Sequence, residues 1–399
     1  MLLTALNTRA LNVVAVEYYG ESEFWLSIGK VILLFILYMF TLVTMCGGNP
    51  SHDAFGFRYW NHPGAFAEYR SKGSKGQFEG FLAALWNAAF TIVGPEYISM
   101  AAGEAKRPRM YIKTAYKTIY WRFGAFFILG ALCVGIIIPW NDKHLQAILS
   151  GSDSSSGGSA SPYVIAMKNM KVQALPHLVS ALIITSIFSA GNTLTFCATR
   201  SLYSMALDGR APRLFRKTTP NGVPVFAYLV VVCFSCLSLL QVSSSSSVVV
   251  NWFSSLVTAG ALIDYLVMSI TFLQFYYACK AQGVDRRTFP YYGYLQPYCA
   301  YVGIMSMMIV ILFYGYKSFR PWDVSTFFQN YTMQIVAPVL FVFWKLVKRT
   351  RLLKPSEVDL VWEKPAIDAY EAALTDLPQG FWEEMWQLVT FKWKMGKSK

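Results

Sequence analysis

The feature that most constrains this chain is a succession of apolar runs, each long enough to cross a lipid bilayer. A hydrocarbon core about 30 Å thick takes roughly 20 residues of helix to span. Eight runs of that size, 25–46, 81–102, 122–140, 174–199, 223–242, 249–277, 298–316 and 327–346, alternate with polar loops. Inside lipid every backbone amide and carbonyl needs an internal partner, which leaves helices and closed barrels as the available structures. Runs this long specify helices. The expected fold class is all-α: a polytopic membrane bundle of about eight transmembrane helices over 24–346. Residues 1–23 read as the remnant of a truncated helix and loop, and 347–399 as a cytoplasmic tail.

Composition excludes the competing classes. Hydrophobic residues make up 55% and charged residues only 14%, where soluble domains carry about 25% charged residues. A chain of this kind is neither disordered nor a string of soluble domains. The seven cysteines lie mostly in or beside apolar runs, where a thiol behaves as a small hydrophobe, and no disulfide is expected. Net charge of +13 raises the question of nucleic acid, but the distribution of the charge answers it. The second, fourth and sixth loops and the tail hold 24 of the 35 basic residues. Lys and Arg retained in alternate loops mark the cytoplasmic side, so both termini are expected in the cytoplasm. The implied partner is the lipid bilayer, with no nucleic acid.

No enzyme, cofactor or metal site is expected. His52, His62, His144 and His177 show no HExxH spacing. A GxxxxGK[ST] loop and a GxSxG elbow are both absent. Cys233 and Cys236 form CxxC within an apolar span, where packing is the natural role. Asn330 begins a glycosylation sequon at the start of the last span, out of reach of modification. Residues 150–161 form a Ser/Gly-rich loop. In the tail, Phe381, Trp382, Met385, Trp386 and Val389 recur near helical spacing with lysines beyond, as in an interfacial helix; a partly ordered tail is the alternative.

Three charges fall inside spans. A central acidic or basic residue costs on the order of 2.5 to 3.5 kcal/mol on insertion scales, so its retention points to function. Glu96 follows Val93, Gly94 and Pro95 directly. Gly94 has no side chain to hinder a close approach, and Pro95 lacks an amide and clashes with the preceding turn. That combination interrupts a helix or, as the alternative, merely kinks it. Lys30 lies several residues inside the first span, where burial would let it load and release a proton, or from which it snorkels to the interface. Asp264 sits near the middle of 249–277, where pairing with a tyrosine or a backbone group is the plainer reading.

Several segments resemble one family. GFLAALWNAAFTIVGPEYISMAAGEAKRPRMYIKTAYKTIYWR (80–122) is similar to the sixth span and following loop of fungal amino-acid permeases, in the amino acid-polyamine-organocation superfamily. YYGESEFWLSIGK (18–30), FSAGNTLTFCATRSLYSMALDGRAPRLF (188–215) and ITFLQFYYACKAQGVDRRTFPYYGYLQPY (270–298) resemble the family's fifth, eighth and tenth regions, and GGNPSHDAFGFRYW (47–60) resembles an extracellular loop. The resemblance implies part of a twelve-span, LeuT-like fold from the end of the fourth span onward. About four spans, including the first broken helix, are expected to be missing. It implies a secondary transporter of amino acids in the plasma membrane, driven by proton symport. The loop and cytoplasmic motifs look nearest to dicarboxylic permeases, so acidic amino acids are the expected substrates. The rival is a truncated membrane protein that does not transport; association with other membrane subunits stays open.

The resemblance also implies roles. Such transporters bind substrate at the midplane, where a discontinuous helix offers backbone groups. Phe90, Val93, Gly94, Pro95 and Glu96 would bind the amino acid. Lys30, Glu96, Ser189, Asn192 and Thr193 would couple it to the proton, and Asp264 would tune specificity. The three polar residues of the eighth region have interhelical hydrogen bonding as their plainer reading. Glu104, Arg109, Arg200 and Arg210 are candidates for a cytoplasmic gate or, individually, for topology and headgroup contact.

Overall fold

The computed structural model describes residues 16–105, 107–149, 161–237, 246–319 and 322–374. The tail segment from Phe381 therefore lies outside the described residues.

Helix α1 (Val16–Met45) carries the first apolar run and is already helical at Val16, the first described residue, eight positions before the boundary expected at 24. No proline interrupts it, so its polar first half continues into the span. After the loop comes α2 (Gly73–Thr91), which stops inside the second apolar run; α3 (Tyr97–Met100) resumes it. The next run belongs to α4 (Pro108–Arg122), which passes through a widened turn, Phe123–Ile128, into α5 (Leu129–Ile137). The expected span started at 122, whereas the helix starts 14 residues earlier. Pro108 occupies the first turn, where its missing amide costs nothing and its fixed φ suits helix entry. The widened turn leaves carbonyls off the regular ladder, and the Tyr38 hydroxyl of α1 donates to one of them, Ala125 O.

Two short helices follow, α6 (Lys143–Leu149) and α7 (Pro162–Asn169), and then the long α8 (Leu175–Leu207). Next come α9 (Val225–Ser235), α10 (Ser246–Ala281), α11 (Tyr298–Phe313) and α12 (Val324–Lys348), with α13 (Lys364–Ala372) in the tail. Asp323 caps α12 by accepting from the Ser325 amide at 3.0 Å. All eight apolar runs therefore hold helix. Five described stretches are long and apolar enough to cross a membrane, α9 and α11 are shorter, and α2–α3 is interrupted.

The core divides in two. On one side α1 presents Leu33, Leu37 and Phe40, at i, i+4 and i+7, to Cys133 and Ile137 of α5, to Val179 of α8 and to α7. Val164, Ile165, Ala166 and Met167 of α7 are almost fully buried there. Thr41 and Thr44 join this buried stripe by donating to Leu37 O at 2.9 Å and Phe40 O at 2.7 Å, so neither threonine hydroxyl is left unsatisfied. On the other side α10 packs against α11 and α12, with Leu262 buried against Ala89 of α2 and Tyr314. Gly315 is a close approach: a Cβ there would meet the Tyr331 ring at 2.3 Å.

Outside these seams the helices stay apolar. Val31, Ile32, Phe35, Leu42 and Val43 of α1 and the Val339–Phe343 stretch of α12 are exposed. A helix apolar all round finds a solvent for its outer face only in lipid.

Candidate functional site

The interrupted helix joins the two halves of the core: α2 packs on α10, and α3 packs on α8 and α4. The last regular bond of α2 runs from Ile92 N to Ala88 O at 3.1 Å. Beyond it the chain makes only tight turns, from Tyr97 N to Gly94 O at 3.1 Å and from Ser99 N to Glu96 O at 3.0 Å. Gly94 adopts φ +131°, a conformation essentially reserved for glycine. Space is not the constraint, since an added Cβ would meet nothing closer than the Tyr97 ring at 3.7 Å.

What holds the break is Tyr265 of α10. Its hydroxyl lies 2.7 Å from Glu96 Oε2 and donates to it. The Gly94 amide donates to the same carboxylate oxygen at 3.1 Å and reaches the Tyr265 oxygen at 3.4 Å. The hydroxyl also lies 3.3 Å from Ile92 O. Glu96 is half-buried, and its carboxylate links the Gly94 amide to the Tyr265 hydroxyl. Pro95 and Val93 line the same turn, and Phe90 stands in the last turn of α2 with its side chain outside the described set. Asp264, next to Tyr265 in sequence, is exposed on α10 within electrostatic reach of Glu96. Tyr265 was not singled out from the sequence, because one tyrosine among 24 carries no local mark.

A second centre lies between α1 and α8. Lys30 Nζ donates to Ser189 Oγ at 2.6 Å and pairs with Glu23 Oε1 at 3.3 Å. Ser189 Oγ donates to that same Glu23 oxygen, closing a three-residue ring. Ser189 is fully buried. Asn192, also fully buried, and Thr193 occupy the next turn of the same α8 face. The structure thus joins Lys30 to Ser189, keeps Asn192 and Thr193 alongside, and places Glu96 at the break. Glu23 is a further member that sequence reasoning passed over, although its spacing of seven from Lys30, two helical turns on one face, is a usable signal.

At the end of the bundle carrying the basic loops, Arg109 of α4 pairs with Asp368 of α13 and with Glu371 at 3.5 Å. Gln282, past the end of α10, donates to Pro355 O at 3.1 Å and Val358 O at 2.7 Å, which ties the tail to the bundle. Between α4, the break and the tail lies an open cavity of about 860 Å³, lined by Pro95, Ile112, Tyr116, Tyr120, Tyr291 and Ile367. Burial, then the neighbouring Tyr120, pushes the Tyr291 phenol up. The other gate candidates are placed differently. Arg210 meets Asp208 at 3.9 Å on the surface, and Arg200 donates to Gly222 O at 3.2 Å while lying 5.4 Å over the Phe196 ring. The side chain of Glu104 is outside the described set. Asn330 is buried in α12, consistent with a sequon out of reach. Among the described residues no cluster of His, Cys, Asp or Glu has the makings of a metal site.

A helical bundle with apolar outer faces, in which an interrupted helix among the described residues is pinned across two packed halves, is a polytopic membrane protein. Comparison with known proteins specifies which: the model of the family described as amino acid permease matches residues 2–356, and the chain belongs to that family. It is 41% identical over 372 residues to the general amino acid permease AGP2 of Saccharomyces cerevisiae, covering 90% of this chain and 62% of that protein. A proline-specific permease of Emericella nidulans is 38% identical over 382 residues, covering 94% of this chain and 69% of that protein. The dicarboxylic amino acid permease of Saccharomyces cerevisiae is 35% identical over 369 residues, covering 91% and 60%. The chain thus spans between 60% and 69% of the length of these three relatives.

Proposed function

We propose that this chain carries the proton-coupling and much of the substrate-binding apparatus of a secondary amino-acid transporter of the plasma membrane, with both termini cytoplasmic. The observation that supports this reading best is the break at Ile92–Glu96, held open by Tyr265 with a carboxylate beside it. An amino acid brings an ammonium and a carboxylate, and an unwound midplane segment supplies carbonyls, amides and a charge to meet them. Glu96 with the Val93–Pro95 backbone would take the ammonium, Phe90 would pack on the aliphatic part, and Lys30, Ser189, Asn192 and Thr193 would answer the proton. Because α8 carries Ser189 and also packs on α3, loading at Lys30 has a mechanical route to the break. The motion would be alternating access of one helix group against the other.

Acidic amino acids are the proposed substrates, a reading supported by the 35% identity to a dicarboxylic permease. Asp264 beside Glu96 would modulate that choice. The relatives' names range over general, proline, dicarboxylic and lysine permeases, so a panel is the proper test. The chain is expressed in cells lacking amino-acid permeases, and uptake of radiolabelled glutamate, aspartate, proline, lysine and leucine is measured at acidic and neutral pH with surface protein quantified. Saturable uptake favoured at acidic pH, with glutamate and aspartate ahead, supports the proposal. Uptake independent of pH removes the symport, a different ranking removes the acidic preference, and no uptake at normal surface abundance favours the non-transporting alternative.

A further inference from the structure

Within the proposed coupling centre, Glu23 has a feature that neither Lys30 nor Ser189 shares. Its Oε1 is saturated, accepting from both Lys30 Nζ and Ser189 Oγ. Its Oε2 is buried and has no hydrogen-bond partner among the described residues. A buried carboxylate oxygen without a donor bears its desolvation cost uncompensated, whereas the same oxygen carrying a proton has no charge to solvate. Among the described residues no ionisable group other than Lys30 bonds to Glu23, and α7, packed in the same cluster as α1, carries Tyr163 and Lys168. The α5 helix, packed on α1, carries no charged side chain, its sole titratable group being Cys133. The charged or titratable positions of α8 nearest in sequence, Cys197, Arg200 and His177, lie about 12, 17 and 18 Å along the axis from Ser189. On α1 itself Glu21 is exposed and two positions away, on another face of the helix.

The geometry points to Glu23 Oε2 as the atom that takes up the proton. This rests on the symport reading above and refines it. With Lys30 as an ammonium and Glu23 as a carboxylate, the pair is neutral. A proton from the aqueous phase bonds to Oε2, the carboxylate becomes a carboxylic acid, and the pair carries one net positive charge. Lys30 loses its counter-charge, keeps Ser189 as a partner and is freed to move with α1 against α8. Loss of the proton to the opposite compartment restores the neutral pair. No electrons move and no other reactant is needed. Lys30 is then the responder that senses the charge, and Ser189 the hinge that both states retain.

The test uses the chain in liposomes loaded with a pH dye, with L-glutamate as probe, replaced by L-proline or L-lysine if the panel ranks either first. Two signals are read: proton entry driven by the amino acid, and counterflow exchange, which moves no net proton. Glu23→Gln is expected to lose the proton signal and the pH dependence of uptake while counterflow continues. A Glu23→Gln protein with the wild-type ratio of protons to amino acid overturns the inference. If the wild type itself moves amino acid without protons, the symport reading fails and takes this inference with it, a result the wild-type trace alone identifies. Should Glu23→Gln also lose exchange, Glu23→Asp decides. That shorter acid sits differently from the ammonium, so it should keep the proton signal with a displaced pH profile. A superimposable profile, or equal loss of both signals at normal abundance, makes Glu23 a structural residue and overturns the assignment.

Discussion

Replacing Tyr265 with Phe removes a single oxygen and leaves the ring, so it tests the clamp on the break with little disturbance of packing. The lost hydroxyl makes one short bond, 2.7 Å to Glu96 Oε2, and two long contacts, to Ile92 O at 3.3 Å and Gly94 N at 3.4 Å. A hydrogen bond to a charged group contributes about 1.5 to 3 kcal/mol. The site is only partly buried, which places this one near the lower bound. About 1.5 kcal/mol corresponds to roughly a tenfold change in an equilibrium constant. If Glu96 meets the substrate from the geometry the clamp imposes, Tyr265→Phe should raise the KM for uptake about tenfold with surface abundance unchanged. The assay is initial-rate uptake of the preferred amino acid across a concentration series, normalised to surface protein. A KM within about twofold of the wild type, below roughly 0.5 kcal/mol, would refute the reasoning, because it would mean that the carboxylate is placed by something other than this hydroxyl.

Other predictions concern the same two centres and one loop. Glu96→Gln and Lys30→Met should each abolish proton-coupled uptake while leaving the protein in the membrane; normal uptake by either removes that residue from the mechanism. Gly94→Ala forces a side chain onto φ +131°, a strain of about 1 to 3 kcal/mol. It should lower the melting temperature of the detergent-solubilised protein as well as uptake, and an unchanged melt would contradict the conformational argument. In the loop after α1, Arg58 binds Asp53 with bonds of 2.8 and 2.6 Å and holds its carboxyl below the usual carboxylate range. A depressed folded-state value means the stabilisation is present above the unfolded value, and is lost as pH falls through the folded one, below about pH 4. Proteolysis of the 47–60 loop should therefore accelerate at low pH in the wild type. Asp53→Asn should be cut faster already at neutral pH, with a flatter profile; parallel profiles would count against the ion pair.

Much of the fold was legible because membrane insertion is a local property. Whether a stretch spans depends on its own length and polarity, so all eight apolar runs could be marked and all hold helix. The same locality marked Glu96, Lys30 and Asp264, since a charge in an apolar run is conspicuous without any knowledge of its neighbours. Helix limits were less legible. Hydropathy does not register that α4 continues past its lysines down to Pro108, because the backbone ladder is indifferent to whether the side chains outside it are wet. The interruption after Thr91 could be anticipated from Gly94 and Pro95, yet those two residues alone did not distinguish a kink from a break.

The sequence by itself determined the solvent this protein folds in, the helical class and the residues too costly to be there without a reason. Tertiary structure decided the company those residues keep. Tyr265 reaches Glu96 across 169 positions, Ser189 reaches Glu23 across 166 and Arg109 reaches Asp368 across 259. The cost of burying a charge is set by the segment that carries it, and so can be read from a window of residues. The partner that offsets this cost is chosen by which helix faces pack together, a property of the whole bundle that no single segment encodes.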